Sequence, residues 1–206
     1  MLTKETRRLF QGQYQYKAVL VCPAAGWFRG RNVSEALDKI KENGIGAHKN
    51  PFNKVKTPED FDYCMKLAKT ILKMSNFNIR VESPFISIYS NSEKDVKALA
   101  KLDTDRVKYI SRPPLNSTLT SDTILLPKVN FEYRVTLGKT TQDNSTFVQW
   151  ANNNKKLKLT KSCIRDLTKD RSWGGTYFYV TGDNNLLMTK MHLGGSINKV
   201  ERIIKA

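Results

Sequence analysis

The chain says nearly the same thing twice, and that repetition constrains its fold more than any single motif does. Phe85-Ile86-Ser87-Ile88 leads into Asn91-Ser92-Glu93, then Val96 and Leu99, and closes on Arg106-Val107-Lys108-Tyr109-Ile110. Tyr177-Phe178-Tyr179-Val180 leads into Asp183-Asn184-Asn185, then Leu186-Leu187-Met188 and Met191, and closes on Lys199-Val200-Glu201-Arg202-Ile203. Phe85 to Arg106 is 21 positions and Tyr177 to Lys199 is 22, so one insertion or deletion separates the runs. An earlier pair agrees: Tyr133-Arg134-Val135-Thr136-Leu137 repeats Tyr16-Lys17-Ala18-Val19-Leu20 in residue type. A duplicated chain of 206 residues divides into two units of a size that folds independently. Residues 1–111 are expected as the first module and 128–206 as the second. Between them, Pro113-Pro114 and a Ser/Thr/Asn cluster mark 112–127 as a linker.

Local signals give the order of elements. Gln13 to Val21 reads as a strand, Asn32-Val33-Ser34-Glu35 as a capping-box start, and Thr57-Pro58-Glu59-Asp60 as a second helix start. Phe61, Cys64, Met65, Ala68, Ile71 and Leu72 recur at spacings of three and four, which predicts one buried helical stripe. In the second copy a helix is predicted over 145–153, a basic strand at Lys155 to Leu159, and a short helix over 162–169. Each copy runs strand, helix, helix (or basic segment plus helix), strand, helix, strand, an order that resembles the ferredoxin-like βαββαβ plan, with both helices on one face of an antiparallel sheet. The expected class is therefore α+β, as two tandem ferredoxin-like modules. Unrelated functions share that plan, so function has to be argued from residues.

Charge is the strongest bulk signal. Thirty-five Lys and Arg oppose nineteen Asp and Glu, for a net charge of +16. Self-repulsion at that excess opposes compaction, so the charge points to a polyanionic partner, first of all nucleic acid. Mean hydropathy is −0.50 and no apolar run approaches the length of a membrane span, so no membrane association is expected. The N-terminal stretch lacks a signal-peptide core, and Cys22, Cys64 and Cys163 form no metal-binding spacing. A cytoplasmic protein with reduced, structural cysteines is expected, without cofactor or metal. Abundant Lys and Asn suggest an AT-rich genome, such as a virus or mobile element.

Alternation along the strands places the candidate contacts. Ile86, Ile88, Phe178 and Val180 point together toward the helices, which turns Tyr177 and Tyr179 to the other face. The same reasoning sends Arg134, Lys17, Val19 and Val21 outward. An uncovered sheet with aromatics beside cations suits RNA or single-stranded DNA, because bases stack while phosphates meet charge. The loop Trp27-Phe28-Arg29-Gly30-Arg31 offers stacking and bidentate phosphate contacts just before a helix N-terminus. Lys155, Lys156, Lys158, Lys161 and Arg171 supply the densest positive charge. These residues make the nucleic-acid-binding set.

Two other readings stand beside it. A strongly basic chain also suits a protein partner with an acidic surface, as in an adaptor or a host-directed inhibitor. Leu193-Gly194-Gly195-Ser196 resembles the glycine-rich loop of tandem ferredoxin-like CRISPR RNA endonucleases. That resemblance implies metal-free RNA cleavage by acid–base residues such as His48.

Overall fold

The structure is a computed structural model that describes residues 2–30, 32–46, 55–115, 117–169 and 171–205. Its chain divides into two compact units, Met1–Ser121 and Asp122–Ala206, each of mixed α+β construction around one five-stranded sheet. In the first unit the strands are β1 (Thr3–Glu5), β2 (Tyr16–Val21), β3 (Phe77–Glu82), β4 (Phe85–Ser90) and β5 (Val107–Arg112). The helices are α1 (Val33–Asn43) and α2 (Pro58–Leu72), between β2 and β3, and α3 (Glu93–Lys101), between β4 and β5.

Capping fixes where these helices begin. Asn32, Thr57 and Ser92 each accept a hydrogen bond from the backbone N–H three residues on, at Glu35, Asp60 and Asp95. Each cap satisfies one donor that a bare helix end leaves orphaned. The inward residues of the sheet, Ala18, Leu20, Ile79, Ile86, Ile88 and Ile110, share one core with the buried sides of the three helices. Full burial of side chains such as Ile86 and Ile88 contributes about 1.5–3 kcal/mol each. Of the expected stripe on α2, Cys64, Ala68 and Ile71 are buried and Phe61 and Met65 pack partly buried against the core. Tyr63, Cys64, Leu67, Ala68 and Ile71 are buried, whereas Leu72 is 46% exposed. Apolar residues at three-and-four spacing fit two overlapping stripes, and packing within the fold chose Tyr63 and Leu67 over Leu72.

The second unit comprises β6 (Thr123–Leu125), β7 (Tyr133–Leu137), α4 (Ser145–Asn152), β8 (Leu157–Leu159), α5 (Lys161–Leu167), β9 (Tyr177–Val180), α6 (Asp183–Leu193) and β10 (Ile197–Ile204). Val135, Leu137, Phe178 and Val180 meet Phe147, Val148, Cys163, Leu167 and Leu186 in its core. The two sheets are ordered alike, β1-β5-β2-β4-β3 and β6-β10-β7-β9-β8. In each, a three-residue first strand pairs parallel with the last strand, while the other pairings are antiparallel. Part of the stretch read as linker is thus structural, because β6 completes the second sheet against Arg202–Ile204. Three residues are too few to show periodicity, which is why β1 and β6 escape a reading of sequence alone.

One charged cluster pins the first unit together. Arg106 donates to Asp60 Oδ1 at 2.8 Å, in the first turn of α2, and to Asp103 Oδ2 at 2.9 Å. Burial opposes ionisation of Asp60, but the Arg106 guanidinium and the Lys56 amide outweigh it and hold the carboxyl below its usual range. A depressed carboxyl lends stability above its unfolded-state pKa, and that stability is lost as pH falls through the folded-state value. Urea unfolding of the first unit should therefore show a midpoint that drops from about pH 4 downward. Asp60→Asn should start lower and depend less on pH; a variant with the parent's full dependence would refute the assignment.

Candidate functional site

The face of the second sheet turned away from its helices is built in register. Lys158 on β8 lies opposite Tyr179 on β9, Tyr179 opposite Arg134 on β7, and Arg134 opposite Glu201 on β10. Because Phe178 and Val180 occupy the core, strand alternation delivers Tyr177 and Tyr179 to this other face. The Arg134 guanidinium lies 3.7 Å from the centre of the Tyr177 ring. Tyr177 and Tyr179 meet edge to face at 5.6 Å, and Phe131 stacks on Tyr179 at 5.6 Å. Burial, then the neighbouring Tyr177, push the Tyr179 phenol above its ordinary pKa, so it keeps its proton at neutral pH.

This face is uneven. Toward β10 it is closed: Glu201 is fully buried, 3.1 Å from Lys199 Nζ, and Ile203 and Ile124 are buried beside it. Toward β8 it opens, with Arg134, Tyr177 and Tyr179 half-buried and Lys158 exposed. Lys155 and Lys156 are exposed in the turn before β8, and Lys161 is exposed at the start of α5. Leu157 is buried among them, so the backbone that carries these lysines is anchored to the core. Arg171 is exposed as well, away from β8 in the segment paired to Thr140. A lysine on an edge strand also discourages edge-to-edge pairing, which accounts for Lys158 alone more easily than for the three together.

The corresponding face of the first sheet corrects the expectation of two equivalent open surfaces. Gln11 and Gly12, both at positive φ, turn the chain so that Phe10 and Tyr14 bridge each other and fold over the sheet. Both rings pack on Tyr89, at 5.8 and 6.2 Å, and Tyr14 and Tyr89 are each 5% exposed. Val19 is buried too. Lys17 is half-buried on this face: its Nζ donates to Tyr109 Oη at 3.2 Å and lies within 6.0 Å of the Phe10, Tyr89 and Tyr109 rings. These are cation–π contacts within the fold.

The loop before α1 is also corrected. Residues Ala25–Gly30 form a 3-10 turn whose Phe28 is fully buried in the first core, so Phe28 has no surface for a base to stack on. Trp27 is half-buried against the same core, and Arg29 is exposed. Arg31 and His48 lie outside the described residues. His192, in the last turn of α6, stacks on Trp150 at 5.1 Å.

No protein-family profile matches this chain, and no curated protein or solved structure shows significant similarity to it. The chemistry therefore has to be read from the side chains. Among the described residues, no three His, Cys, Asp or Glu side chains are grouped to hold a metal ion, and no helix is long and apolar enough to cross a membrane. The three cysteines are free and buried, and burial pushes the Cys163 thiol up to about 12, which leaves it inert as a nucleophile. Three aromatic residues of interest are absent from the sequence reading of the site. Phe131 completes the ring stack from a position just before β7, and nothing in the alternation of β7 marks it. Tyr109 holds Lys17 from 92 positions away. The third, Trp173, is 88% exposed.

Proposed function

We propose that this protein binds single-stranded nucleic acid, RNA or DNA, through the half-open face of its second sheet. The registered row of Lys158, Tyr179 and Arg134, with Tyr177 directly beneath the guanidinium, is the observation that carries the reading. Aromatic rings accept bases of any sequence at about 1–3 kcal/mol per stacked base, while cations on either side of them meet the phosphates. Both units are of the ferredoxin-like type in this reading, supported by the strand order β10-β7-β9-β8 and its counterpart β5-β2-β4-β3. That plan leaves one sheet face without helices. In the first unit Phe10 and Tyr14 occupy the face, and in the second an aromatic and cationic strip remains. The second unit carries fourteen Lys and Arg against seven Asp and Glu, which favours a polyanion near that strip.

The test is a salt titration of a short, fluorescently labelled single strand, followed by anisotropy, between about 50 and about 200 mM salt. The logarithm of the association constant should fall linearly with the logarithm of salt, by about 0.7 per phosphate neutralised. Duplex of the same length should bind more weakly at matched salt, because its bases are not free to stack. A salt-independent response, or dissociation constants of order millimolar at the lowest salt, overturns the proposal.

A further inference from the structure

At the end of the second unit where β7 finishes, a depression of about 290 Å³ is lined by Lys139, Thr140, Thr141, Arg171, Ser172 and Trp173. Two independent features of it ask for a ligand. Trp173 is 88% exposed, so a large apolar ring stands in water with no core to cover it. Lys139 Nζ stands 5.1 Å from the centre of that ring, and Arg171 is exposed two residues before it. Thr140, only 2% exposed, lines the depression from within the fold.

The platform is also held in place. Thr140 N–H donates to Ser172 O at 3.1 Å and Ser172 N–H donates to Thr140 O at 3.0 Å, which fixes the two segments side by side. Gly175 N–H donates to Leu137 O at 2.8 Å and extends that pairing to the end of β7. A volume near 300 Å³ lies at the small end of ligand clefts, suited to one compact molecule.

We propose that this depression holds one nucleotide: its base stacks on Trp173 and its phosphate lies between Lys139 and Arg171. A purely apolar ligand leaves two cations unmet, and a simple anion leaves the indole unmet. A nucleotide answers both. The inference deepens the single-strand reading and rests on it, since the strip of Tyr179 and Tyr177 along β9 leads back through Thr176 toward Trp173.

The experiment uses the full chain, and its readout is tryptophan emission. Trp27 and Trp150 are half-buried, so quenching by a stacked base reports mainly on Trp173. Short single-stranded RNA and uridine 5′-monophosphate are titrated separately into the parent, Trp173→Ala and Lys139→Gln proteins, with RNA binding also followed by anisotropy. Both ligands should quench the parent. Trp173→Ala should abolish the quenching and weaken RNA binding about tenfold or more, and Lys139→Gln should weaken the mononucleotide. If RNA binds the parent without quenching, and Trp173→Ala leaves its affinity unchanged, the inference is overturned while the sheet-face reading stands. If RNA fails to bind at all, the sheet-face reading falls and the mononucleotide decides the inference alone. Quenching lost in Trp173→Ala then upholds it, and absence of quenching sinks it. Because Trp173 is exposed, its replacement should leave thermal unfolding unchanged, which separates a binding defect from misfolding.

Discussion

Replacing Lys155, Lys156 and Lys158 together with glutamine should weaken single-strand binding about 100-fold at 0.1 M salt and lower the salt slope by about 2. The size follows from counterion release. Each phosphate neutralised on a single strand contributes about 0.7 to the slope, and three lysines sum to about 2 logarithmic units at that salt. The three side chains are exposed, and none has an ion-pair partner among the described residues, so their charge is available to a ligand. Leu157 stays buried between them, and exposed substitutions of this kind change stability by less than about 0.5 kcal/mol. The matched control is Lys39, Lys41 and Lys97, which already pair with Glu35, Asp38 and Glu93 on helices of the first unit. Glutamine at those three positions removes the same net charge and should leave the slope within about 0.5. Equal losses in the two triple variants would show that only bulk charge matters, and the β8 surface would lose its assigned role.

Gly174→Ala should destabilise the second unit by about 3 kcal/mol or more, equivalent to a fall in melting temperature of about 12–24 °C for a domain of this size. The reason is a contact between two backbones. A Cβ at Gly174 would stand 2.3 Å from the Gly138 carbonyl oxygen and 2.4 Å from its carbon. Neither atom can swing aside as a side chain would, because Gly138 N–H donates to Ser196 O at 2.8 Å and the next segment is paired to Ser172. The backbone at Gly174, with φ of +77°, adds a left-handed penalty of about 1–2 kcal/mol for any residue with a Cβ. Gly175 provides the comparison, since it has φ of +86° and nothing lies within 4 Å of where its Cβ would stand. Gly175→Ala should therefore cost only the dihedral penalty, about 1–2 kcal/mol. Thermal unfolding of the two variants measures the close approach by difference. If both lose the same stability, the packing of the 172–175 segment on β7 is not what holds this end together. Loss of that packing should also remove the Trp173 platform, so Gly174→Ala should bind mononucleotide more weakly even below its melting temperature.

How much of the molecule is legible in its sequence differs from element to element. The caps at Asn32, Thr57 and Ser92 are local chemistry, with an acceptor side chain three residues ahead of an orphan amide, and the helices begin where those residues stand. Alternation on β4 and β9 assigns Ile86, Ile88, Phe178 and Val180 to the cores, because a strand can bury only alternate residues on one face. The α2 stripe keeps Cys64, Ala68 and Ile71 but takes in Tyr63 and Leu67 in place of Leu72, since helical spacing tolerates two neighbouring faces until a partner surface selects one. Phe28 departs from expectation for a related reason. A Trp-Phe-Arg-Gly loop has no periodicity, so nothing local distinguishes a ring that stacks on a ligand from one that closes a core.

The amino-acid sequence by itself determined the helix starts, the core-facing residues of the longer strands, and the surplus of positive charge. Each of these is set by neighbours a few positions away or by composition, which no folding step can alter. Only the tertiary structure decided that Phe10 and Tyr14 close one sheet face while the other keeps its tyrosines half-open, and that Lys139 and Thr140 meet Trp173. Those pairings join segments tens of residues apart, and their energies exist only once chain closure has brought the segments together.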